Sequence, residues 1–226
     1  MNRLLSLVFI ALFWSCASVP QRLPVAATEI RVPGEPLALV HVRISADMRP
    51  IAEHGTFKAL GRHQLQHRQF DVPTLVEVAS AVALDLVRAG VALETTLSAV
   101  DAPYLLELDI LHLGTEISGG LESLLFVAPT CSLVATCELR WRFLDRHGRC
   151  FLDSTTLARL DGHAAPLGGL EGEAAWLLGR ALRASCDEGL PRILPAVDAW
   201  WRAEGLPPRR EPLVNPLPVP RSSTDR

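Results

Sequence analysis

The chain has 226 residues, 49% of them hydrophobic, and sets 22 Lys and Arg against 25 Asp and Glu for a formal net charge of −3. Lys58 is its single lysine, and a mildly acidic chain without a clustered basic face is not built to grip nucleic acid. The abundance of Arg, Ala, Leu and Pro reflects coding bias in a GC-rich genome and carries no mechanistic weight.

Asn2 and Arg3 form a short basic start, and Leu4 through Trp14 form an almost unbroken apolar run, the layout of a secretory signal. The run is too short for a transmembrane helix, which needs about 20 apolar residues. The sequence Leu12-Phe13-Trp14-Ser15-Cys16-Ala17-Ser18 then resembles the bacterial lipobox. That resemblance implies that residues 1–15 are removed and that Cys16 receives a diacylglycerol. Phe13 and Trp14 are bulkier than the motif usually places before the cut. The competing reading is an ordinary signal peptide cleaved after Ser18, for which Cys16-Ala17-Ser18 serves as a small-x-small site. Ala17 is not the aspartate that commonly retains such proteins in the inner membrane, so the resemblance also implies delivery to the outer membrane.

Residues 16–35 hold Pro20, Pro24 and Pro33 without periodic apolar spacing, and read as a tether. Residues 205–226, with Pro207, Pro208, Pro212, Pro216, Pro218 and Pro220, read as a disordered Pro- and Arg-rich tail. Between them, 36–204 suits a single domain able to bury its own core.

Within that domain, residues 36–45 alternate as a strand with Ala38, Val40, Val42 and Ile44 on the core side. From 50 to 70 the pattern is irregular, with one short strand around 57–60. Asp71, Pro73 and Gly90 mark the start and end of a helix. Its apolar face holds Leu75, Val76, Ala79, Val82, Ala83, Leu86 and Val87, and Glu77, Asp85 and Arg88 supply polar positions. Strands follow at 91–97 and 104–113, the latter with Tyr104, Leu106, Leu108 and Ile110 inward and Glu107 and Asp109 toward water.

A long antiparallel hairpin is expected around Asp145-Arg146-His147-Gly148. Its inner residues are Cys131, Leu133, Ala135, Cys137, Leu139, Trp141 and Phe143 on one strand, and Cys150, Leu152, Ser154, Thr156, Ala158 and Leu160 on the other. A four-residue turn would set Cys150 opposite Phe143 and Cys137 opposite Thr156. A helix over 171–186 and a shorter one reaching Trp200 and Trp201 complete the order. The class is α+β, a two-layer sandwich with helices on one face of a mostly antiparallel sheet.

Signatures of chemistry are sparse. His63 and His67 would share a face only if their segment were helical, and no third metal ligand accompanies them; they read as exposed polar residues. No G-x-S-x-G elbow, P-loop, dinucleotide glycine signature or calcium loop occurs. Asp109 and Asp153 read as solvated strand acids. No cofactor, metal site or catalytic residue is assigned, and the chain reads as not an enzyme.

In an oxidising compartment Cys131, Cys137, Cys150 and Cys186 allow three full disulfide pairings, among which sequence does not choose. Buried free thiols are the alternative. The apolar loop Leu121 to Val127 either folds onto the core or offers Leu121, Leu124, Leu125 and Phe126 to lipid or a partner.

With the lipobox, the helix ending Leu86-Val87-Arg88-Ala89-Gly90, the strand Tyr104-Leu105-Leu106-Glu107-Leu108 and the Leu144-Asp145-Arg146-His147-Gly148 hairpin, the chain resembles the group containing YajG-like lipoproteins and the auxiliary lipoproteins of ABC-type transport systems. The resemblance implies a compact α/β domain tethered to the outer membrane. It also implies a non-enzymatic accessory that serves envelope assembly or lipid transport by binding a partner protein. A carrier of a hydrophobic ligand between helices and sheet is the alternative, and a periplasmic hydrolase a third reading.

Overall fold

A computed structural model describes residues 23–49, 62–63, 74–98, 102–118, 131–164 and 170–205. In chain order these form β1 (Leu37–Asp47), β2 (Arg62–His63), α1 (Thr74–Arg88), β3 (Ala92–Thr96), β4 (Tyr104–Ser118), β5 (Cys131–Asp145) and β6 (Cys150–Ala164). Helix α2 (Leu170–Gly189), a 3₁₀ turn (Leu190–Arg192) and α3 (Ile193–Ala203) follow.

The sheet runs β3-β1-β4-β5-β6, with β2 on the far end of β4. Strand β1 is parallel to both neighbours, pairing through Leu37–His41 with β3 and through Val40–Asp47 with β4. The remaining pairings are antiparallel. The expected α+β sandwich is therefore present, on a mixed sheet. Parallel neighbours require a crossover, and α1 supplies it between β1 and β3.

One face of this sheet holds the core. Across the strands, Val42, Leu106, Phe143 and Leu152 share one row, and Ile110, Leu139 and Thr156 another. Hydrogen bonds fix the helices against that face: Thr95 donates to the Ala83 carbonyl of α1 (3.1 Å), Thr115 to the Ala174 carbonyl of α2 (3.1 Å), and Thr156 bonds Ser185 of α2 (2.6 Å). Fully buried Trp141 donates its Nε1–H to Thr156 Oγ1 (2.8 Å), so the polar atoms of this row are satisfied within the core. Above that ring α2 ends in Gly189, where a Cβ would stand 2.5 Å from the indole.

Strand β4 extends five residues past the expected end at Leu113. An irregularity between Ile110 and His112 transfers the inward parity to Leu113 and Thr115, both buried. Such a bulge interrupts the alternation by which a strand is recognised. In the hairpin, Phe143 pairs with Leu152, Leu144 with Cys150 and Cys137 with Ala158. The four-residue-turn register is thus corrected by two positions beyond the turn, and because two is the strand period the inward residues stay inward. Cys150 departs from the core assignment and is exposed.

Six side-chain assignments are also corrected. Val76 and Val87 of α1 are exposed, at 49% and 37%, and Ala38 faces solvent. Asp85, given to the polar side of α1, is buried at 2%. Glu107 and Asp109, assigned to water, retain only 6% and 4% exposure, because Arg43 and Arg142 lie across them on the outer face of the sheet.

The tether boundary moves as well. Leu23 and Val32 are buried in the core cluster, so the segment from Leu23 onward belongs to the domain.

Candidate functional site

The domain offers three built features outside its apolar core: a strap across the helices, a ladder of charge on the open sheet face, and an apolar edge.

The strap is the segment 23–35, whose first part, through Thr28, lies along α2. A Cβ on Gly179 would meet the Pro24 carbonyl oxygen at 2.5 Å, so only glycine lets the strap backbone lie this close. One turn later Arg183 reaches the Ala26 carbonyl (3.5 Å), and one turn beyond that Asp187 accepts from the Thr28 hydroxyl (2.9 Å). Two extended residues advance about 6.6 Å, close to the roughly 6 Å covered by four helical residues. Strap and helix therefore stay in step.

The Thr28 amide then donates to Asp85 Oδ1 of α1 (3.2 Å), and the Val32 amide to the Ala89 carbonyl (2.8 Å). Arg183 bonds Asp85 and also pairs with Asp187 (2.8 Å). Burial pushes the Asp85 carboxyl up from its ordinary range, and the guanidinium of Arg183 and the Thr28 amide pull the other way. The pair therefore fixes the position of the strap more than it adds stability.

On the open face, Arg43, Glu107, Arg142 and Asp153 lie side by side across β1, β4, β5 and β6. Arg142 pairs with both Glu107 and Asp109 (3.3 Å each), Arg140 with Asp153 (2.6 Å), and His112 stands 3.8 Å from Glu138. Asp109 and Asp153 are thus occupied by arginines on adjacent strands and do not line a cleft.

The third feature lies at the β3 edge. Of the eight large hydrophobic residues exposed among the described residues, Val76, Leu84, Val87, Leu93 and Leu97 fall on α1, on β3 or directly after it. Val76, Leu84 and Val87 share one outward stripe of the helix. Leu93 and Leu97 flank Thr95, whose bond to Ala83 holds strand and helix together. These apolar side chains are left exposed on α1 and along the β3 edge of the sheet.

The sequence-predicted site residues meet varied outcomes. Cys16 and the loop residues Leu121, Leu124, Leu125 and Phe126 lie outside the described residues, as does His67. His63 sits in β2 opposite Ile117, so the helical premise of a His63–His67 pair fails. No group of three metal-ligating side chains occurs among the described residues.

Cys137, Cys150 and Cys186 are free thiols; the Cys131 side chain is not among those described. Burial pushes the Cys137 thiol up to about 12 and Cys186 well above its ordinary value. Neither is poised as a nucleophile. No helix among the described residues is long and apolar enough to cross a membrane.

No family model and no curated relative matches the chain. Among solved structures, protein XCC0632 from Xanthomonas campestris, of the family DUF330, superposes with a TM-score of 0.55 at 15% identity, over 82% of this chain and 98% of that one. The two share a fold. Lipoprotein GNA1162 from Neisseria meningitidis (TM-score 0.35, 15% identity, 67% of this chain and 96% of that) is more distantly similar. So is lipoprotein B from Nitrosomonas europaea (TM-score 0.37, 13% identity, 79% and 97%).

Sequence inspection missed Asp85 and Arg183, although a signal existed. Asp85 stands three residues after Val82 and four before Ala89, and Arg183 four after Gly179 and three before Cys186. Helical spacing therefore places both in buried stripes.

Proposed function

We propose that the chain is a lipid-anchored outer-membrane lipoprotein without enzymatic activity, serving an envelope assembly or lipid-transport complex by binding a partner protein. The observation that carries this reading is the apolar edge of α1 and β3, which presents Leu84, Val87, Leu93 and Leu97 beside a terminal strand of the sheet. A partner strand or helix laid there would cover apolar surface and meet free backbone groups together. Two further points favour it over its rivals. The side chains facing one another between helices and sheet, among them Trp141, Phe143, Leu139, Leu178 and Leu182, are fully buried, as a filled domain core requires. The acids that a hydrolase would need in a cleft are paired with arginines instead.

Photo-crosslinking from positions 84 and 93 in the native envelope tests the reading. A discrete protein adduct is expected from both positions. It should be lost when charge is introduced beside the probes through Val87→Glu with Leu97→Glu, and be absent from a probe at Arg159 on the opposite edge. Adducts of equal yield at all three positions, or none at 84 and 93, refute it.

A further inference from the structure

We propose that the outward flank of α2 at Trp176 and Arg180 rests on the bilayer that holds the lipid anchor; this builds on the reading of Cys16 as lipidated. Trp176 is 47% exposed, a large aromatic surface left to solvent on a helix whose opposite side is fully packed. The Arg180 guanidinium lies over its ring, 4.8 Å from the centroid. Trp176 is one turn before Gly179, the point where the strap joins the helix. Because the strap keeps step with α2 from Gly179 through Arg183 to Asp187, its described start at Leu23 enters from the end of the helix that carries Trp176.

Cys16 stands seven positions before Leu23, a reach of at most roughly 24 Å. The acyl chains therefore hold this end of α2 near the lipid surface, whatever path the intervening residues take. An indole with one apolar body and one polar edge is suited to the headgroup boundary, and a guanidinium beside it can meet lipid phosphate. Arg180 is accompanied by exposed Glu173 one turn before Trp176, while Asp187 further on is already paired with Arg183. That charge balance fits a zwitterionic interface and not selection of anionic lipid.

The test uses the full chain, processed in a bacterial envelope and reconstituted in phosphatidylethanolamine vesicles with and without brominated acyl chains. The acyl mass on Cys16 and flotation with the vesicles are measured first, then quenching of tryptophan emission by bromine. Quenching is expected in the wild type, lost in Trp176→Phe, weakened in Arg180→Ala, and unchanged by Trp201→Phe; near-ultraviolet circular dichroism verifies that each variant is folded. Raising phosphatidylglycerol should leave it unaltered. An acylated, floating wild type that shows no quenching, or quenching that persists in folded Trp176→Phe, overturns the membrane contact alone. A Cys16 without lipid overturns the anchor reading on which the contact rests.

Discussion

At the scale of single residues, the side chains with the greatest chemical potential are committed to structure. Cys137 and Cys186 are buried thiols held protonated, and Cys150 is exposed. A thiol-directed alkylating reagent should therefore modify Cys150 in the native protein and reach Cys137 and Cys186 only after denaturation, as read by peptide mass; rapid native labelling of Cys137 would contradict the packing. The Asp85–Arg183 pair follows the logic of a buried ion pair, in which losing one partner leaves the other with less compensation, Arg183 keeping only half-buried Asp187. Asp85→Leu alone should cost about 3 kcal/mol, measured by urea unfolding. Adding Arg183→Met should recover most of it. A double variant as weak as the single one would show that the two side chains do not act as a pair.

Elements explain which parts of the fold could be read from sequence. The hairpin was legible because its apolar residues alternate for seven positions before a polar turn, and tertiary contacts only shifted its register by a full period. The middle of β4 was legible for the same reason, and its far end was hidden by the bulge after Ile110. The strap was misread because nothing periodic marks a segment held by Gly179, Arg183 and Asp187, each remote in sequence. The polar identity of Asp85 likewise outweighed its spacing. If the strap is a packed element, Gly179→Val should push it from α2 at a cost of about 1–3 kcal/mol. Hydrogen exchange would then report it, with the Thr28 and Val32 amides losing protection while those of β5 keep theirs; uniform loss would mean general destabilisation instead.

The acid stability of the whole molecule draws one contribution from an end of its sheet. Asp145 closes the β5–β6 turn, accepting from the amides of His147 (2.7 Å) and Arg149 (2.9 Å) and from Arg149 Nε (2.7 Å). Burial raises its carboxyl, but these bonds together outweigh that and hold it below its ordinary value of 3.8. A depressed acid lends stability that is present above its unfolded pKa and lost as pH falls through the folded one. The contribution is thus complete at neutral pH and fades below about pH 4. Asp145→Ala should lower the melting temperature at pH 7 and flatten the acid limb of the stability curve; an unaltered acid limb would remove Asp145 from that role.

Fastening the strap along α2 also fixes the length of leash left over. With the chain docked from Leu23, a lipid on Cys16, as proposed above, would be separated from the domain by at most seven residues, where a tether running to residue 35 would have granted nearly three times as many. So short a leash would confine the apolar edge of α1 and β3 to a thin layer above the membrane that holds the proposed anchor. Within that layer its effective concentration for a partner in the same membrane would reach the millimolar range typical of short links. Weak contacts of a few exposed leucines and valines can then suffice for assembly, and the same contacts would vanish from view once the domain is cut free and diluted.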